Sequence, residues 1–143
     1  MTSTPSYIDF VRDLVENPPD TPQEVAERTG ITLSPVSKDR KLRDEGQGET
    51  GDGLMLDEIT LSYMPDGTPH VLVFSIPHDA APMVADVIDA FPGLKLTAVP
   101  RGRSLQEETE LSRKEDWGTL VFGIAETDRE RLRSVIFRFS DAQ

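Results

Sequence analysis

Apolar side chains at Tyr7, Ile8, Phe10, Val11, Leu14 and Val15 recur at the three-and-four spacing of a single helix face, so Tyr7 to Glu16 predicts an amphipathic helix. Asn17-Pro18-Pro19 ends it, since proline lacks the N–H that the helical ladder needs. A second helix opens at Thr21 as N-cap, with Pro22 in the first helical position and Glu24 completing a capping box, and it stops at Gly30. Ser34 to Glu45 reads as a third, more polar helix.

Beyond it, GQGETGDG (Gly46 to Gly53) places four glycines in eight positions with almost nothing to bury, which marks a flexible linker. The expected organisation is a helical module over residues 1–46, a glycine-rich linker over 47–56 and a second domain over 57–143. In that domain Glu58 to Met64 and Val71 to Ile76 are strand-like runs joined through Pro65-Asp66-Gly67 into a hairpin. Asp79 to Phe91 presents Ala80, Val84, Val87, Ile88 and Phe91 as a helix stripe closed by Pro92-Gly93, and Leu94 to Val99 is a further strand. Thr127 as N-cap, Glu130 behind it and the stripe Leu132, Val135, Ile136 and Phe139 predict a last helix.

An ungapped echo accompanies that layout. VLVFSIPHDAAPMVADVIDAF, from Val71, aligns on TLVFGIAETDRERLRSVIFRF, from Thr119, with seven identities at an offset of 48. Duplication and convergent core patterning explain the identities equally well. The expected fold class is α+β: an N-terminal three-helix module, then a β-β-α-β-β-α domain whose antiparallel sheet carries both helices on one face and leaves the other free for a partner or a second copy. PRGRSLQEETELSRKED, from Pro100 to Asp116, reads as a solvated loop, and Trp117 as the anchor of the next strand.

Cysteine is absent, which excludes disulfides and thiolate metal sites. The start, MTSTPSYIDF, has no basic and apolar leader, and no apolar run approaches the roughly 18 to 20 residues that span a bilayer, so a soluble, cytoplasmic protein with no membrane contact is expected. Acidic residues number 26 against 15 basic ones, for a net charge of -11. This composition resembles that of proteins from salt-adapted organisms, and it equally suits a protein built to meet a basic partner.

Val25-Ala26, Gly30-Ile31-Thr32 and Val36-Ser37 carry the spacings of a helix-turn-helix: a small residue where the helices cross, a glycine in the turn, and apolar residues between. Over about 40 residues the chain resembles the helix-turn-helix transcription regulators of the winged and phage-repressor-like kinds. The resemblance implies DNA as partner, a homodimer on a palindromic site, and a recognition helix starting near Ser34. Leu33, Ser34, Ser37 and Lys38 would face base edges, and Lys38, Arg40, Lys41 and Arg43 would contact phosphates. The same residues admit a plainer reading. Pro35 disfavours a helical Ser34, and Asp39 stands where the motif usually has an apolar residue, as in a helical cap or partner-binding arm.

Catalytic chemistry has little to stand on. The only histidines, His70 and His78, flank one strand, and Ser75, His78 and Asp79 offer triad residue types without a nucleophile elbow. No glycine loop opens a helix to hold phosphate, and no ligand spacing marks a metal or cofactor. The expectation is a non-enzymatic DNA-binding regulator with a C-terminal dimerisation or sensing domain. The alternative is an acidic interaction module, such as an immunity protein or secretion chaperone, that masks a basic partner. A hydrolase using His78 is the third reading.

Overall fold

A computed structural model describes residues 6–35, 43–99, 108–125 and 128–139. The first two helices form as their local signals dictate. Helix α1 spans Tyr7–Glu16 with the Ser6 hydroxyl accepting from the Asp9 N–H, and α2 spans Pro22–Thr29 with Thr21 accepting from the Glu24 N–H. Gly30 closes α2 in the left-handed region at φ 82°, donating its N–H to the Ala26 carbonyl.

The rest is dominated by strands: β1 Ser34–Pro35, β2 Arg43–Glu49, β3 Met55–Tyr63, β4 Pro69–Ser75, β5 Lys95–Ala98, β6 Glu108–Glu115, β7 Gly118–Ala125 and β8 Leu132–Phe139. They join in one antiparallel sheet of order β1-β2-β3-β4-β8-β7-β6-β5. A third helix, α3, spans Val84–Ala90, and a single 3-10 turn covers His78–Ala80. The hairpin expected around Pro65-Asp66-Gly67 is the β3–β4 pair.

This overturns the expected fold of a three-helix module followed by a β-β-α-β-β-α domain. The described residues of the stretch Ser34 to Glu45, expected as a helix, are strands instead: Ser34 and Pro35 pair with Glu45 and Asp44, and Arg43 to Glu49 lie along β3. Proline biases Ser34 toward extended backbone, and an edge strand tolerates its missing N–H. Residues 36–42 lie outside the described ones. The presumed linker, 47–56, coincides with the end of β2, a turn and the start of β3. Gly46 is glycine for closeness, because an added Cβ would lie 2.7 Å from the Thr32 carbonyl and 2.8 Å from the Leu33 side chain.

The last helix is likewise a strand. Leu132 to Phe139 form β8 between β4 and β7, and Thr127 falls outside the described residues. The apolar run from Val135 to Phe137 is buried on both sheet faces, which matches a central strand as well as a helix stripe. The echo therefore holds only for β4 against β7, since its second half sets α3 against β8. The expected helix from Asp79 is shortened by Pro82, and part of the expected loop, Glu108 to Glu115, is β6.

One face of the sheet carries the main core. Register places Ile59, Leu61, Leu72, Phe74, Val135, Phe137, Leu120 and Phe122 on it, and all belong to a buried cluster with Val11, Leu14, Val25 and Ile31 of the N-terminal segment. Phe10 meets Phe74 edge to face at 5.6 Å, and Phe91, just after α3, lies 5.0 Å from Phe122. The α2 end is tied to the turn after β2 by the Gly51 N–H donating to the Thr29 carbonyl at 3.1 Å. The helices therefore share the sheet's core.

Both tyrosines clamp elements together. Tyr7 donates its hydroxyl to the Met55 carbonyl at 2.5 Å, and Tyr63 donates to Asp44 Oδ2 at 2.5 Å. Burial pushes both phenols above the ordinary tyrosine range; at Tyr63 the hydrogen bond to Asp44 and its negative charge add to the rise. A phenol that ionises later in the folded chain contributes stability that is complete below its unfolded value, about 10, and lost as pH climbs beyond it. Alkaline titration followed by circular dichroism should show unfolding that sets in above about pH 10. Tyr7→Phe plus Tyr63→Phe should flatten that pH dependence, and an unchanged slope in the double variant would contradict this account.

Candidate functional site

Of the residues expected to read DNA, the described ones, Leu33, Ser34 and Arg43, do not lie on a helix. Leu33 is 7% exposed and packs in the core, Ser34 is on β1, and Arg43 begins β2 with Nε 3.4 Å from Glu45 Oε2. Ser37, Lys38, Arg40 and Lys41 lie outside the described residues. The histidine site also takes another form. Ser75 pairs in the ladder with Glu58 and Ser134, and no hydrogen bond joins it to His78 among the described residues. His78 Nε2 instead lies 2.6 Å from Asp128 Oδ2. That hydrogen bond, with the Glu130 N–H behind it, holds the Asp128 carboxyl below the usual carboxylate range.

The second face of the sheet holds the geometry that the linear pattern concealed. Lys114 is directly across from Thr119, which is across from Arg138 on β8; in the neighbouring row Lys95 faces Ser112, followed by Val121 and Ile136. Opposed residues share a face, so these rows form one surface with strands about 4.8 Å apart. A cavity of about 660 Å³ opens here, lined by Lys95, Thr97, Glu110, Ser112, Lys114, Thr119 and Arg138 together with Gly93 and Arg113.

Arg138 Nη2 donates to Glu110 Oε1 at 3.2 Å and Oε2 at 3.1 Å. The register makes this a diagonal that crosses β7 at the level of Val121, whose exposure is 0%. The Thr97 and Ser112 hydroxyls lie 2.6 Å apart, and Thr97 also donates to the Glu110 carbonyl at 3.3 Å. Farther along the same face, a register shift makes Arg133 the extra residue of a β-bulge. Arg133 Nε and the Ser134 hydroxyl both donate to Glu108, at 2.7 and 3.1 Å. Gly123 has no side chain because a Cβ there would overlap Glu108 and Ser134.

Charge around the cavity differs from the rest of the molecule. Among the described residues Arg12, Arg28, Arg43, Arg113, Arg131, Arg133 and Arg138 each lie within ion-pair distance of a carboxylate. Lys95 and Lys114, both exposed, have no such partner among the described residues. The site draws Glu110, Ser112 and Lys114 from the stretch expected to be a loop, Pro100 to Asp116. The alternation Glu110, Ser112, Lys114 is the period of a strand with one polar face.

The outer surface of the helices has the opposite sign. Asp9, Asp13 and Glu16 on α1 and Glu24 and Glu27 on α2 are exposed, against Arg12 and Arg28 on the same helices. Asp20, between them, has its carboxyl pushed above the usual range, first by burial and then by the Glu24 charge. Among the described residues no helix is long and apolar enough to cross a membrane. No family model matches this chain, and no match is found among curated proteins or solved structures.

Proposed function

We infer that this chain is a non-enzymatic interaction module whose acidic surface receives a basic protein partner, in the manner of an immunity protein or a secretion chaperone. The observation that carries the reading is the placement of α1 and α2. They lie against the sheet through Phe10, Val11, Leu14 and Val25, leaving five exposed carboxylates outward with only two arginines among them. Desolvated Asp20 beside Glu24 is a point of like-charge crowding that a partner's cation would relieve. Complementary charge of this kind speeds encounter and selects against acidic partners. DNA regulation, by contrast, has no reading helix among the described residues and would rest on Lys38, Arg40 and Lys41 outside them.

Affinity capture from the protein's native lysate, with the full chain as bait, tests this. A basic protein should be retained at low salt and released as ionic strength rises, because exposed charges are screened. Asp9→Asn, Glu16→Gln and Glu27→Gln together should abolish retention while leaving the fold intact. Retention of duplex DNA with no protein, or of a partner indifferent to both salt and the triple variant, would overturn the reading.

A further inference from the structure

We propose that the cavity on the open face of β5 to β8 binds a phosphorylated sugar or polyol, with the phosphate between Lys95 and Lys114. This ligand site is separate from the acidic helix surface and does not depend on a basic partner. In a chain with 26 acidic and 15 basic residues, a cation finds a carboxylate easily, and the seven arginines named above do so. Lys95 and Lys114 stand apart from carboxylates among the described residues and line the same cavity. Glu110 is engaged by Arg138 through both oxygens, so its charge is largely met within the pair and the two ammonium groups set the local sign.

Their placement suits one compact dianion. Lys95 faces Ser112 across the β5–β6 ladder and Lys114 lies two residues farther along β6, so their Cα atoms are about 8 Å apart from strand spacing and rise. Two flexible side chains from such bases can converge on one group, each bringing three donors. Lysine serves as a point charge toward phosphate, whereas a planar carboxylate is best matched by an arginine fork, and Arg138 already has its Nη2 on both oxygens of Glu110.

The remainder of the lining favours hydroxyls over a base. Thr97, Ser112 and Thr119 supply donors and acceptors, and the Glu110 carboxylate has lone pairs beyond those used by Arg138. No aromatic side chain is among the described lining residues, so a nucleobase would have no stacking platform. A volume of about 660 Å³ is of the size that takes a small organic ligand. Because the groups stand on paired strands, their bases are positioned before the ligand arrives.

Calorimetric titration of the full chain at low salt with glucose 6-phosphate, glycerol 3-phosphate, glucose, inorganic phosphate and AMP tests the proposal. At least one of the first two should bind more tightly than inorganic phosphate, glucose should give no heat of binding, and AMP should not exceed inorganic phosphate. Lys95→Gln plus Lys114→Gln should weaken the bound sugar or polyol phosphate by roughly tenfold or more, the effect of losing charge-assisted hydrogen bonds. Arg12→Gln, which removes a cation from α1, should leave affinity unchanged, and melting curves should confirm that both variants fold. Equal affinity for inorganic phosphate, preference for AMP, binding indifferent to the double lysine variant, or no binding of either polyol phosphate at millimolar concentration would each overturn the proposal.

Discussion

Replacing Phe74 by alanine is expected to destabilise the fold by about 3–5 kcal/mol, the range for removing a fully buried aromatic side chain. Phe74 is 1% exposed on β4, with Phe10 of α1 edge-on at 5.6 Å and Phe137 of β8 at 5.8 Å. The substitution removes the ring that α1 and two adjacent strands share, and the surrounding strands cannot close on the void. Val73→Ala is the control, because Val73 is one residue away, half-buried, and points to the opposite face. Urea unfolding followed by circular dichroism should give a much larger loss for Phe74→Ala than for Val73→Ala. Equal losses would mean that the core has been assigned to the wrong side of the sheet. If Phe74→Ala does not accumulate as folded protein, Phe74→Leu supplies the comparison at a smaller cost.

Trp117→Ala has the second large expected effect, about 3 kcal/mol, near the lower end for a large aromatic because the side chain is only half-buried. The indole N–H donates to the Val15 carbonyl at 2.8 Å, at the last turn of α1, while its ring lies 5.3 Å from Phe137 and 6.0 Å from Phe139. One side chain therefore satisfies a helix-end carbonyl and fastens α1 to the sheet 102 residues away in sequence. Trp117→Phe keeps most of the packing and should cost about 1 kcal/mol for the lost hydrogen bond. Hydrogen exchange offers the sharper readout. In Trp117→Ala the α1 amides should exchange faster, whereas unchanged protection there would indicate a helical unit that stands without the sheet.

What could be read directly from the chain was local. Thr21, Pro22 and Glu24 start α2 and Gly30 ends it, because capping bonds join residues three or four apart. Pro65 to Gly67 turn the β3–β4 hairpin for the same reason. The site was less legible. Lys95, Lys114 and Arg138 are spread over 44 residues and converge only through strand pairing. Gly46 reads as the start of a flexible linker and Gly123 carries no signal of its own, yet each marks a place where another segment comes too close for a Cβ.

The sequence by itself determined the two N-terminal helices, the caps of the second, the hairpin turn and the excess of acidic charge, all of which depend on neighbours within a few residues or on composition alone. Only the tertiary structure decided that Leu132 to Phe139 is a strand, that Arg43 to Glu49 pairs with β3, and that two lysines share a cavity. A helix closes its hydrogen bonds within itself, so its signals lie along the chain. A strand closes them on a partner, and Val135-Ile136-Phe137 becomes one because β4 and β7 are there to receive it.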